Sequence, residues 1–216
     1  MGIKRAWVVG VVALSFCSCR SAPSLRVDAD VLDKITIENK LLLFDAENEL
    51  NIAIDSRDQV VDEIAQIKDD IRRARKKQQV AERDSEVFAD KGDNERAKFA
   101  ALRAVTEESR IEYLEAYLAW SRERLVKERA RLIVAKAQFE LAKARLVKKN
   151  NVPGASDIEL ADFEAQVEEY KEDVNDTDED IAAAEAEMAA KEEAWVAKSD
   201  QLAAATGGAL GSRWLD

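Results

Sequence analysis

The side chains able to do chemistry are unevenly spread along this 216-residue chain. Thiols are confined to Cys17 and Cys19, carboxylates number 44, lysines and arginines 33, and histidine is absent. Without imidazole there is no His-based nucleophile relay, no imidazole zinc site and no ordinary near-neutral general base. The acidic run from Glu168 to Asp180 has oxygens enough to attract calcium, but calcium loops wrap around a sharp glycine turn and this run has none. It reads as a solvated helical face. The basic run Arg72, Arg73, Arg75, Lys76 and Lys77 sits in a chain of net charge −11 with no interleaved aromatics. That favours an intramolecular charge partner over nucleic acid. Tyr113, Tyr117 and Trp120 recur at spacings of 4 and 3, one flank of a helix, and read as interface packing. No glycine-rich loop offers a phosphate cradle. The expectation is a non-enzyme with no catalytic residue, no metal, no small-molecule substrate and no nucleic-acid partner.

The thiols carry the one specific signal. Lys4 and Arg5 precede an apolar run from Ala6 to Phe16, and Cys17 and Cys19 follow at once. That run is too short to span a bilayer, which takes about 20 residues, but suits a secretory h-region. This arrangement resembles the signal peptide of bacterial lipoproteins, in which a small-residue box precedes a cysteine that is lipidated and becomes the mature N-terminus. Phe16-Cys17-Ser18-Cys19 places a small Ser18 before Cys19, whereas Cys17 follows the bulky Phe16, so Cys19 is the expected lipidation site and Cys17 the alternative. The resemblance implies a signal peptide over 1–18, a lipidated tether over 19–27, and a covalent lipid as the sole non-protein group. No Asp follows either cysteine, which by the sorting of such lipoproteins implies the outer membrane, facing the periplasm. Simple secretion to the periplasm is the alternative. A chain held this way is tethered to the surface and does not span it.

The elements behind these residues are long. Only 7 Gly and 2 Pro occur, where average usage would give roughly 15 and 11. Between Ser24 and Thr206 the breakers are Gly92, Pro153 and Gly154 alone, too few for folds that turn every several residues. Apolar residues alternate by 3 and 4 along three segments, a coiled-coil pattern. The first, 28–91, has its seam at Leu32, Leu43, Leu50, Val60, Ile64, Ile67, Ile71, Ala74 and Phe88, with Ile35, Leu42, Ile54 and Val61 widening the stripe toward a second partner. The second, 94–149, runs through Ala104, Ile111, Leu114, Leu118, Leu125, Leu132 and Leu146. The third, 156–206, runs through Phe163, Val167, Tyr170, Ile181, Met188, Trp195 and Leu202, with Ser156 and Glu159 spaced as a capping box. The expected fold is all-α: an elongated antiparallel three-helix coiled-coil bundle forming a rod over 28–206, with a flexible tail at 207–216.

Charge sets the register. Residues 93–150 carry 14 basic and 9 acidic side chains, whereas 151–206 carry 3 and 17. Folding back at Pro153 sets residue i beside about 306−i, which lays the basic Arg122–Lys149 stretch along the acidic Asp157–Asp180 stretch. Turning at Gly92 brings the Arg72–Lys77 run toward Glu107, Glu108, Glu112 and Glu115. Pro153 and Gly154 then lie at the anchored end, and Gly92 and the tail at the far tip, where Trp214 and Leu215 are candidate docking residues. The reading is a membrane-anchored periplasmic spacer or adaptor for an envelope protein. The long arms resemble, generically, the periplasmic helical hairpins of efflux and secretion tunnels. A holdase-type chaperone and a scaffold self-associating through its coiled coil are the alternatives.

Overall fold

The computed structural model describes residues 22–208, so Cys17, Cys19, Trp214 and Leu215 lie outside the described residues. The fold is 84% helical, with no strand among the described residues. Two one-turn helices, α1 (Ala29–Leu32) and α2 (Ile37–Lys40), lead through a 3₁₀ turn at Leu41–Leu43 into α3 (Phe44–Asp90). Then come α4 (Asn94–Lys149), α5 (Leu160–Asn175) and α6 (Asp178–Ala205). Helix α4 has 56 residues. At a rise of about 1.5 Å per residue it is about 84 Å long.

Local chemistry accounts for the turns. Gly92 takes φ +76°, its N–H bonding Ala89 O while Asp93 N–H bonds Phe88 O. This paired pattern closes a helix through a left-handed residue. The Asp93 side chain then caps α4 by accepting from Arg96 N–H at 3.1 Å, satisfying a donor that the helix start leaves free. At the other end of α4 the left-handed residue is Asn151, φ +48°, with Val152 N–H reaching back to Val147 O. Pro153 and Gly154 follow it and steer the chain onward; they do not close the helix themselves.

Several expectations about the segments are corrected. Residues 28–43 are not one α-helix with the rest of the first segment: α1 and α2 are single turns, and the 3₁₀ turn at Leu41–Leu43 leads straight into α3. Residues 22–27, the described part of the expected tether, pack on the helical body. Val27 is buried and its N–H donates to Glu140 Oε2 at 3.0 Å, while the Gln166 amide oxygen accepts from Ser24 and Leu25 N–H at 3.2 Å. The capping box does not form, because Ser156 bonds Asp157 and α5 begins at Leu160 without a side-chain cap. The third segment is also two helices. Thr177 Oγ1 bonds Val174 O at 2.7 Å, and the ladder tightens at Thr177, whose N–H bonds the same Val174 O at 3.3 Å. Such short polar residues compete with the helix for its own carbonyls.

Much of the seam is where the periodicity puts it, but toward the Pro153 end of α4 the deepest burial falls on Ala137, Leu141, Ala144 and Val147, which lie off it. Val60, Ile64, Ile67, Ile71, Ala74 and Ala81 of α3 are buried, as are Ile111, Leu114, Leu132, Ala135 and Leu146 of α4. The larger core lies at the Pro153 end, where Leu141, Ala144, Val147, Val152, Phe163, Val167 and Tyr170 close over Val27, Ile35 and Leu43. A smaller one joins Ile67, Ile71 and Ala74 to Ile111 and Leu114. The antiparallel register also agrees. Arg145–Glu164, Lys127–Asp178 and Glu112–Lys191 all pair within three residues of the 306−i rule. α4 is thus the middle helix, meeting α3 along one side and α5 and α6 along the other, while α3 scarcely touches α5 or α6.

Candidate functional site

The end of the helical body that receives the N-terminal segment is built from several parts of the chain. Lys34 Nζ donates to Pro153 O at 3.0 Å, Asn39 Nδ2 to Asn150 Oδ1 at 2.8 Å, and Val31 packs within 3.6 Å of where a Cβ on Gly154 would sit. The described chain therefore begins at the Pro153–Gly154 end, with Cys17 and Cys19 a few positions before it in sequence, and Gly92 lies at the opposite end. On the outside of this junction Ile37, Leu41 and Phe44 are spaced by 4 and 3 and are 77%, 67% and 66% exposed, with Leu42 beside them. No other described residues expose large apolar side chains so fully. The heptad reading of 28–91 as one buried seam concealed them.

A second feature crosses the middle of the molecule. Trp195 of α6 stacks on Tyr113 of α4 (5.3 Å between centroids, 7° between planes), Tyr113 on Tyr117, and Tyr117 leans on Trp120. Arg124 lies over the Trp120 ring at 4.4 Å and donates to both carboxylate oxygens of Glu63 on α3 at 2.9 Å. Glu63 also accepts from Ser121 Oγ at 3.1 Å and from the Tyr117 hydroxyl. Burial, then the bond to Glu63 and its negative charge, push the Tyr117 pKa up to about 12. Burial and the nearby Glu192 raise Tyr113. The aromatic trio is therefore interface packing, as its spacing implies, and the ladder ties α6 to α3 through α4. Glu63 and the fully buried Ser121 were not legible as partners, since neither sits in an apolar pattern. The Trp120 Nε1 is buried without a hydrogen-bond partner.

The third feature is a groove of about 770 Å³ between α3 and α4. Val61, Ile64, Ala65, Leu118 and Leu125 line it, and Lys68, Arg72, Arg75, Arg122 and Arg129 stand around it against only Asp69 and Glu115. The basic run thus has a divided role. Arg75 reaches Glu115 on α4 at 2.6 Å, the expected charge partner, whereas Arg72 and Arg73 pair within their own helix with Asp69 and Asp70. Among the described residues no helix is long and apolar enough to cross a membrane. Nor do three or more His, Cys, Asp or Glu side chains gather there as a metal site. Compared with protein-family models, with curated proteins and with solved structures, the chain matches none.

Proposed function

We propose that the protein is a non-enzymatic, lipid-anchored spacer or adaptor of the bacterial cell envelope, an outer-membrane lipoprotein facing the periplasm. Its antiparallel helices act as one coiled-coil rod that holds an envelope partner at a set distance from the membrane. The observation that carries this reading is the position of Ile37, Leu41 and Phe44. They form an exposed apolar face at the end of the helical body where the N-terminal segment packs, a short way in sequence from Cys17 and Cys19. Binding to a membrane surface scales with the apolar area buried there, and this face adds to what a lipid on Cys19 would bury. The packed strap at 22–43 makes the connection from anchor to rod stiff, which a spacer requires.

Metabolic labelling with a palmitate analogue tests the anchor. Label retained in Cys17→Ser and lost in Cys19→Ser, with the Cys19→Ser chain leaving the membrane fraction, is the expected result. A Cys17→Ser/Cys19→Ser chain that still sediments with membranes, with no label on the wild type, overturns it. In the labelled protein, Phe44→Asp is expected to increase release of the chain from membranes by salt or dilution.

A further inference from the structure

The apolar stripe of α3 is wider than one partner helix can cover, and the fold gives it only one. Val61 and Ala65 remain exposed beside the buried Ile64 and Ile67, and with Leu118 and Leu125 of α4 they floor the open groove. Its rim is cationic. Lys68, Arg122 and Arg129 are exposed and have no carboxylate partner among the described residues. An occupant must therefore be slender, apolar along one line and acidic on either side of it.

The chain itself carries such a helix. On α6, Ala183, Ala186, Ala190, Ala194 and Ala197 recur at spacings of 3, 4, 4 and 3, and all are exposed. They lie away from Ile181, Ala184, Met188 and Trp195, the half-buried side that meets α4. Glu179, Glu187 and Glu193 flank this alanine line and are exposed. Alanine lets two helices approach closely, and the flanking carboxylates would meet the arginines and lysines of the rim.

We propose that the α3–α4 groove receives helix α6 of a second copy of this chain. The two surfaces stand at the same level of the rod. The Lys127–Asp178 and Glu112–Lys191 pairs set the groove's stretch of α4 beside the first half of α6. A two-fold pair of molecules can therefore seat the outer face of each α6 in the other's groove and close as a dimer. In-chain occupancy is ruled against by the packing of α6 on the far side of α4. This goes beyond the spacer reading and stands whether or not the chain is lipidated.

Cysteine cross-linking of the full chain in cells tests it, because the sequence has no cysteine after Cys19. One copy carries Val61→Cys and a differently tagged copy carries Ala186→Cys. The expected result is a product containing both tags on oxidation, absent when either substitution is omitted. Arg72→Glu with Arg122→Glu in the first copy is expected to reduce that product at least tenfold. Adding Glu179→Lys with Glu193→Lys to the second copy is expected to restore it. Since all these charged positions are exposed, the folded state survives the changes, which helical circular dichroism verifies. Absence of the two-tag product overturns the proposal. So does a Val61→Cys product with some other protein, or a cross-link formed only within one chain carrying both substitutions.

Discussion

Glu63→Gln is expected to loosen the contact between α3 and α4 and to make Tyr117 easier to ionise. In the native protein the Tyr117 pKa stands at about 12 against an ordinary 10.0, raised first by burial and then by the bond to Glu63 and its charge. Glutamine removes the charge and weakens the bond but leaves the burial, so the value falls toward 10.0 without reaching it. The sign of the stability effect follows. A folded pKa above the unfolded one means the native state holds the proton longer, so this contribution is whole below pH 10.0 and is lost as pH climbs through about 12. Two pKa units correspond to at most about 2.7 kcal/mol, and the solvent that reaches this half-exposed ring brings that nearer about 1 kcal/mol. At neutral pH, replacing the two charge-assisted Arg124 bonds by at most one neutral bond costs about 1 kcal/mol more, for the same reason of partial exposure. Tyrosinate absorbance titration reads the first effect and thermal unfolding the second. The high-pH part of the absorbance curve should move to lower pH in Glu63→Gln, and the substitution should be silent there in a Tyr117→Phe background. Superposable titrations of wild type and Glu63→Gln would refute the Glu63–Tyr117 contact.

Further outcomes probe the distribution of stability and the turns. Val147→Ala in the closed end should cost about 2–3 kcal/mol in urea unfolding, whereas Val196→Ala on the half-covered α6 should cost under about 1 kcal/mol; equal costs would contradict the uneven core. A Cβ at Gly92 meets nothing within 4 Å, so Gly92→Ala should cost about 1–2 kcal/mol in the same assay through its left-handed backbone alone. Gly154→Ala, at φ +97° and so further from the left-handed well than Gly92, should cost more in the same assay through the backbone alone, because its Cβ would meet Val31 at an ordinary contact of 3.6 Å.

Much of the architecture was written locally. A helix needs only its own residues and a periodic apolar face, so the scarcity of Gly and Pro and the 3–4 spacing delimited α4 nearly to the residue, and the far end of α3 likewise. Gly92 in its left-handed turn and the register between α4 and the acidic segment followed from backbone sterics and from long charge blocks that tolerate small errors. The weak points were also local. Asn151, one of two consecutive asparagines shortly before Pro153, tolerates left-handed backbone and was the available signal for the residue that closes α4. Asp176 and Thr177 were the signal for the break inside the third segment.

What remained for the tertiary structure was which surfaces meet. The periodicity shows that the stripe on α3 is wide, because each residue reports its own polarity, but it is silent on whether one helix or two will cover it. Only the packing of α4 between α3 and α6 decides that the flank at Val61 and Ala65 stays open. The strap at 22–43 is likewise non-local. Val27 finds Glu140, and Asn39 finds Asn150, far along the chain, through contacts that no short-range pattern encodes. Sequence alone determined the long helices, their order and their register, because those depend on neighbours in the chain. The exposed apolar end and the cationic groove were decided by the fold, because burial is a property of what stands opposite a side chain.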